Sequence, residues 1–451
     1  MNFDALVKSL NEKLTLTAPG LVTFDKYYAG EQPSAFMAKK AREALDSSLT
    51  QLSVNVPKLL VKSRTERLEV TGFRTGGQPD ELLWEAWKRN RLRDAADQAH
   101  TDALVYGRSF LIVWADSAGR ATVTVESPLQ VAVTRDPVTR QVTAALKRWV
   151  DAEGFSRAAL YLPDEVRLLK GARVVNPVTG PSWQAPTNGF IPTGWEVTEV
   201  LPNPFGVVPV VPMVNRGRLS DVDGRSEMED VLGLTDALNK IMADAMVTSE
   251  YFARPRRWAT GLEIEYDEDD NPIYPFTGNE STGRAFIAES PETKFGQFEP
   301  SDLSPYSTLT ATLISQIGAI AGLPPHYLGV HGDQPASADA IRSAEATLVS
   351  RCLELQRVFG QAWADVARLI LAVETGADPL SVDVEPVWSS PETRTPAQSA
   401  DAAAKLAGIG VPLRTLLSEV LGWSPEAVDE AIAASRSEAL LSQVMNGPVA
   451  P

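Results

Sequence analysis

The longest regular pattern in the chain is a run of apolar residues three or four positions apart. It comprises Ile341, Ala344, Leu348, Cys352, Leu355, Phe359, Ala362, Val366, Leu369 and Val373. This spacing predicts one long helix over 337–375, about 39 residues and roughly 58 Å at 1.5 Å per residue. A compact domain does not bury such a helix alone, so its seam needs a long partner surface in the same subunit or in a neighbour. Cys352 lies in the seam and reads as a small core hydrophobe.

Two further helices precede it. Over 226–253, Val231, Leu234, Leu238, Ile241, Ala245 and Phe252 fall near helical spacing. Glu227, Glu229 and Asp230 suit its start, and Arg254-Pro255 its end. Over 302–321, Leu309, Leu313, Ile317 and Ile320 share one side, and Pro324-Pro325 forbid continuation. The segment between them, 254–301, reads as non-helical. Its stretch EYDEDDNP carries Asp267, Glu268, Asp269 and Asp270, which suit a solvated turn at a hairpin tip.

Upstream, 1–70 reads as helical, including 35–50 and 53–62, and closes on a short strand at LEVTGF. A helix follows over 79–92, with Leu83, Trp84, Trp87 and Leu92 as a core stripe. From 109 to 215 the period changes to two. SFLIVWAD, ATVTVES, QVAVTRD and TAALKRWV read as strands separated by turns at Asp116–Gly119, Ser127–Pro128 and Asp136–Pro137. Beyond Gly376, a strand in VDVEPVW leads to short helices over 396–408, 412–421 and 424–445, the outer two opened by Thr395-Pro396 and Ser424-Pro425. Runs of strands between runs of helices make the fold class α+β, mainly helical, not alternating βαβ.

Composition narrows the chemistry. The 451 residues are 44% hydrophobic and 22% charged, as in globular proteins, and the length suits about three structural units. Lys and Arg number 42 against 58 Asp and Glu, a net charge of −16. That sign disfavours tight electrostatic grip on nucleic acid. One cysteine excludes an intrachain disulfide framework, and the three histidines, His100, His326 and His331, leave little for a metal centre. His100, on a predicted helix, reads as structural. No secretory start or membrane-length apolar run is seen, so a soluble protein, intracellular at synthesis, is expected. The P-loop, zinc-ligand and nucleophile-elbow motifs are missing. No cofactor or metal is expected, and a nuclease built from dispersed acids is the enzymatic alternative. A monomeric adaptor scaffold is a third possibility.

The Gly/Pro-rich loop 322–336 has no Lys or Arg between Gly322 and Pro335. Its conformation is therefore expected to be decoupled from subunit stability. His326, Tyr327, His331 and Gln334 are its candidates for weak, transient contacts.

With that order of elements, the chain resembles the portal proteins of tailed bacteriophages, in particular those of siphoviruses infecting actinobacteria. The resemblance covers nearly the whole chain. It is carried by LWEAWKRNRL at 83–92, AHTDALVYGRSFLIVW at 99–114, VTVESPLQVAV at 123–133, the stretch 207–261, KFGQFEPSDLSPYSTLTATLISQIGAIAGLPPHYLG at 294–329, and WSSPETRTPAQSADAAAKL at 388–406. The resemblance implies a ring, usually of twelve subunits, at one vertex of the virion, assembled in the host cytoplasm and without catalysis. Double-stranded DNA passes through it non-specifically. Implied partners are the terminase large subunit, major capsid and scaffolding proteins, and later head-tail adaptors; no membrane is involved. It implies a wing over 1–225 plus the long helix 337–375, stem helices 226–253 and 302–321, a clip at 254–301, a tunnel loop at 322–336 and a crown over 376–451. The tunnel loop would face the channel with His326, Tyr327, His331 and Gln334. The clip would dock partners with Asp267, Glu268, Asp269 and Asp270. Leu348, Leu355, Phe359 and Val366 are expected to serve ring assembly.

Overall fold

The computed structural model describes residues 3–33, 53–173, 194–252, 257–261, 265–266, 272–273, 292–297, 302–329, 338–392, 396–423 and 425–445. These divide into two compact units, one built from 3–33, 53–235 and 317–445, the other from 236–316.

In the first unit, α1 (Phe3–Ala29), α2 (Val56–Thr65), α3 (Glu81–Arg89) and α4 (Leu92–Tyr106) come first. Asn55 caps α2 by accepting from the Lys58 N–H, and Asp80 caps α3 by accepting from the Leu83 N–H. The expected helix over 79–92 is two. Asn90 closes α3, Arg91 adopts a left-handed backbone, and Leu92 opens α4, so the tryptophans and Leu92 pack from different helices.

The strands follow the period-two reading: β1 (Val70–Thr75), β2 (Gln78–Pro79), β3 (Arg108–Ala115), β4 (Ala121–Glu126), β5 (Val131–Arg135), β6 (Val142–Val150), β7 (Phe155–Tyr161), β8 (Glu165–Arg173), β9 (Glu196–Pro202) and β10 (Val210–Val214). They form a three-stranded sheet in the order β10-β3-β4 and a five-stranded sheet β5-β6-β7-β8-β9. A third joins β1 and β2 to β15 (Val384–Trp388), over 300 residues away in sequence. All described pairings are antiparallel.

The long helix, α7, spans Ala338–Thr375. Its seam is filled from inside the chain. Leu355, Phe359 and Val366 belong to one core with Phe73, Trp87, Leu104 and Leu111, and Leu348 is buried as well. These four side chains are closed off by their own subunit, so the partner surface that the seam calls for is supplied within the chain. The first two turns differ: Ile341 and Ala344 are exposed, and burial begins at Glu345. Phe359 stacks on His100 at 5.4 Å, and Trp363 Nε1 donates to His100 Nε2 at 2.9 Å. The His100 proton is therefore assigned to Nδ1. Burial pulls its pKa down to about 3, so the ring stays neutral, the structural role expected of it.

Beyond β15, α8 (Pro396–Gly408) and α9 (Pro425–Met445) flank a short helical turn, Leu413–Thr415, that widens into a π-turn over Leu416–Val420.

The second unit contains most of α5 (Leu232–Phe252) and α6 (Ser304–Ala321). They run antiparallel there: Thr310 Oγ1 approaches Met242 Sδ, and Thr248 Oγ1 lies 3.2 Å from Tyr306 Oη. The described part of the segment between them consists of short strands. In it β11 (Arg257–Thr260) pairs with β14 (Lys294–Gln297), and β12 (Glu265–Tyr266) with β13 (Pro272–Ile273). Asp267, Glu268, Asp269 and Asp270 connect β12 to β13 in sequence and lie outside the described residues. On α6, Leu313 and Ile317 are buried, but Leu309 and Ile320 are exposed, so the four do not form one covered stripe.

Candidate functional site

Where the chain leaves for α5 and where α6 ends, charged side chains meet inside the first unit. Gly107 and Gly224 make this possible. Both have positive φ, and a Cβ on Gly224 would sit 1.9 Å from the Gly107 carbonyl oxygen. The close backbone crossing is tied by Asn215 N–H to the Gly107 carbonyl at 2.8 Å and Glu227 N–H to the Leu104 carbonyl at 2.8 Å. It delivers Glu227 to the interior. Gly224→Ala is expected to lower stability by at least ~2 kcal/mol, through left-handed strain plus the clash, measurable by chemical denaturation.

Glu227 is the hub. Arg351, from the middle of α7, donates from Nε to Oε1 at 3.0 Å and from a terminal nitrogen to Oε2 at 2.7 Å, the bidentate geometry that makes arginine–carboxylate pairs strong. Asn215 Nδ2 donates to Oε2 at 2.9 Å. Arg64 of α2 places Nε 3.1 Å from Oε1, an ion pair not aligned as a hydrogen bond. The other ends of Arg64 donate to the carbonyls of Leu60 at 3.0 Å and Ala321, the last residue of α6, at 2.6 Å. Burial alone would raise the Glu227 pKa. The Arg351 hydrogen bonds and the two guanidinium charges override it and hold it at about 2. Burial also lowers Arg64, partly offset by Glu227, whereas Glu227 and Glu354 raise Arg351 against its own burial. The arrangement has no nucleophile or proton-transfer pair; it fastens α2, the approach to α5, the end of α6 and α7 at one point.

A second cluster holds the start of the Gly/Pro loop. Pro325–Leu328 forms a 3₁₀ turn closed by Gly329. Arg67 donates to the Tyr327 hydroxyl at 3.0 Å, to Glu345 Oε1 at 3.1 Å and to the Pro391 carbonyl at 2.7 Å. His326 stacks on Tyr327, and its Nε2 lies 3.6 Å from Glu345 Oε1. Leu323 is buried. This end of the loop is part of the subunit's packing, which corrects the expectation that 322–336 is independent of it. Tyr327 reaches the loop's anchor, whereas His326 is exposed. His331 and Gln334 lie outside the described residues.

No sequence motif marks Arg64, Arg67, Asn215 or Arg351, and the spacing places Glu227 only at a helix start. Arg351, a strong charge beside the seam residue Cys352, was the one available signal. Among the described residues no three His, Cys, Asp or Glu side chains are grouped to hold a metal, and no helix is long and apolar enough to cross a membrane.

The family model for phage portal proteins of the SPP1 Gp6-like type matches residues 7–439. The chain belongs to that family. It is 33% identical over 412 residues to the portal protein of Mycobacterium phage L5, covering 86% of this chain and 79% of that one. It is 32% identical over 407 residues to the portal protein of Mycobacterium phage D29, covering 85% and 78%. Among solved structures, a chain from the neck of a native gene transfer agent particle, with C12 symmetry, aligns with 80% of this chain and 87% of its own at 16% identity and a TM-score of 0.44. The function is that of a portal protein, and the ionic hub and the Arg67 cluster are the fixed points of the portal fold in this chain.

Proposed function

We propose that twelve copies of the chain form a ring at one capsid vertex, through which double-stranded DNA enters during packaging and leaves at ejection. Family membership across residues 7–439 carries this reading. Two features support it. The net charge of −16 suits a conduit that surrounds DNA without holding it. Apolar side chains stand exposed on and beside the hairpin helices, at Met246, Leu303, Leu309 and Ile320, where a monomer gains nothing from them and lateral packing would cover them.

In this reading 1–225 and the long helix form the wing, 226–253 and 302–321 the stem, 254–301 the clip, 322–336 the tunnel loop and 376–451 the crown. The clip acids Asp267, Glu268, Asp269 and Asp270 dock the terminase large subunit and then head-tail adaptors. Major capsid and scaffolding proteins are further partners of the ring. The chain supplies passage and docking, not catalysis; the energy comes from the terminase. Exposure of His331 and Gln334 to DNA, from a loop anchored through Tyr327, completes the channel. Light scattering of the pure chain tests the assembly: the expected mass is close to twelve times 48.8 kDa. A strict monomer at micromolar concentration would refute it.

A further inference from the structure

A groove of about 1040 Å³ runs along the first unit. The β5–β6 hairpin, β10 and the middle of α7 line it. Its apolar lining includes Val208, Val210 and Val211 of β10 and its approach. Its charge is opposite to that of the chain: five arginines against two aspartates. Both aspartates are already engaged. Asp365 pairs with Arg368 at 2.7 Å, and Asp136 accepts from the N–H groups of Val138 and Thr139 in its own turn. Among the described residues no carboxylate pairs with Arg135, Arg140, Arg216 or Arg357. The Nε–H groups of Arg135 and Arg216 are sealed from solvent without an acceptor; the two guanidinium charges repel each other, with Asp223 offsetting part of this at Arg135, and a terminal nitrogen of Arg216 donates to the Val222 carbonyl at 3.5 Å. Buried donors are normally paired. An aliphatic lining beneath arginines without a carboxylate partner fits a polypeptide with acids on one side and aliphatic residues on the other.

The chain carries such a segment. Strand β9, EVTEVLP, is the outermost strand of the five-stranded sheet, so among the described residues one edge of its backbone has no strand beside it. It is exposed along most of its length, including Val197 and Val200. Against β8, Glu196 pairs with Lys170 and Glu199 with Leu168, while Val197 pairs with Leu169 and Val200 with Arg167. The extra residue in this register puts both glutamates on one face and both valines on the other. The groove adjoins β5, the opposite edge of the same sheet, about 19 Å away at four strand spacings of ~4.8 Å. A subunit cannot fill its own groove with its own β9. Donor and acceptor on opposite edges are what a head-to-tail contact between copies requires.

We infer that the arginine-rimmed groove of one subunit receives the acidic edge strand β9 of a second copy. This rests on the ring reading and locates one lateral contact of it. Three variants test it by light scattering and native mass spectrometry: Arg140→Glu with Arg357→Glu, Glu196→Lys with Glu199→Lys, and all four together. The four side chains are exposed, and a wild-type circular-dichroism melt confirms folding. Each charge-reversed pair is expected to cut the ring fraction at least tenfold, and the fourfold variant to restore it, since both partners have exchanged sign. Should the groove pair misfold, the β9 pair and the fourfold variant decide alone. Rings of wild-type size and yield from either pair, or no recovery in the fourfold variant, overturn the groove contact and leave the ring standing. A wild-type chain that never exceeds one subunit overturns both.

Discussion

Glu227→Ala is expected to destabilise the subunit by about 3–5 kcal/mol, because it leaves Arg64 and Arg351 as buried cations that have lost their shared anion. Arg351 keeps Glu354, but Arg64 keeps only carbonyls. Glu227→Gln retains the shape and removes the charge, and it carries a pH signature that the alanine variant does not isolate. The Glu227 carboxyl is held at about 2, below its ordinary 4.5. Its ionised form therefore stabilises the fold; the contribution is complete above about pH 4.5 and is lost as pH falls toward 2. Urea denaturation at a series of pH values should show wild type losing stability across that window faster than Glu227→Gln, so that the two curves converge in acid. Parallel curves would mean that the carboxylate is not the ion the hub is built around.

Phe359→Asp is expected to abolish soluble folded protein. Phe359 is fully buried in the main core, stacked on a histidine that burial keeps neutral, and no cation lies beside it to pair with a new carboxylate among its ring contacts. Truncation to Ala alone would cost roughly 3–5 kcal/mol, and a buried unpaired charge adds several more. Expression followed by sedimentation distinguishes a folding role from an assembly role. Aggregated or degraded chain is the expected result; a folded monomer that merely fails to assemble would return the seam to the subunit boundary.

The seam shows what the sequence could and could not convey. Its three- and four-residue spacing located α7 to within a residue of its observed start, and the alternation in 109–161 located β3 to β7, because both periods reflect which side of an element is covered. Neither period says what does the covering. Phe359 stacks on His100 and shares its core with Trp87 and Phe73, all more than 250 positions away, and β1 finds β15 across 300 residues. The same limit hid the hub. Arg64, Asn215, Glu227 and Arg351 converge only after three crossings of the chain, and each alone resembles an ordinary surface charge or amide. Leu309 and Ile320 show the converse: they carry the helical spacing yet stand exposed, because periodicity registers apolar positions whether their cover belongs to the same chain or to another. In the loop, the absence of Lys and Arg was legible, but Arg67 reaching in from the end of α2 was not.

Arg64 touches the chain on both sides of one excursion: Glu227 shortly before residue 236, and the carbonyl of Ala321 shortly after residue 316. Entry and exit are thus pinned to a single guanidinium. A change of length between entry and exit therefore need not disturb Arg64, Glu227 and Arg351, which lie outside it. The prediction for sequence variation is direct: insertions and deletions should gather between 253 and 303, and those three residues should change rarely and together.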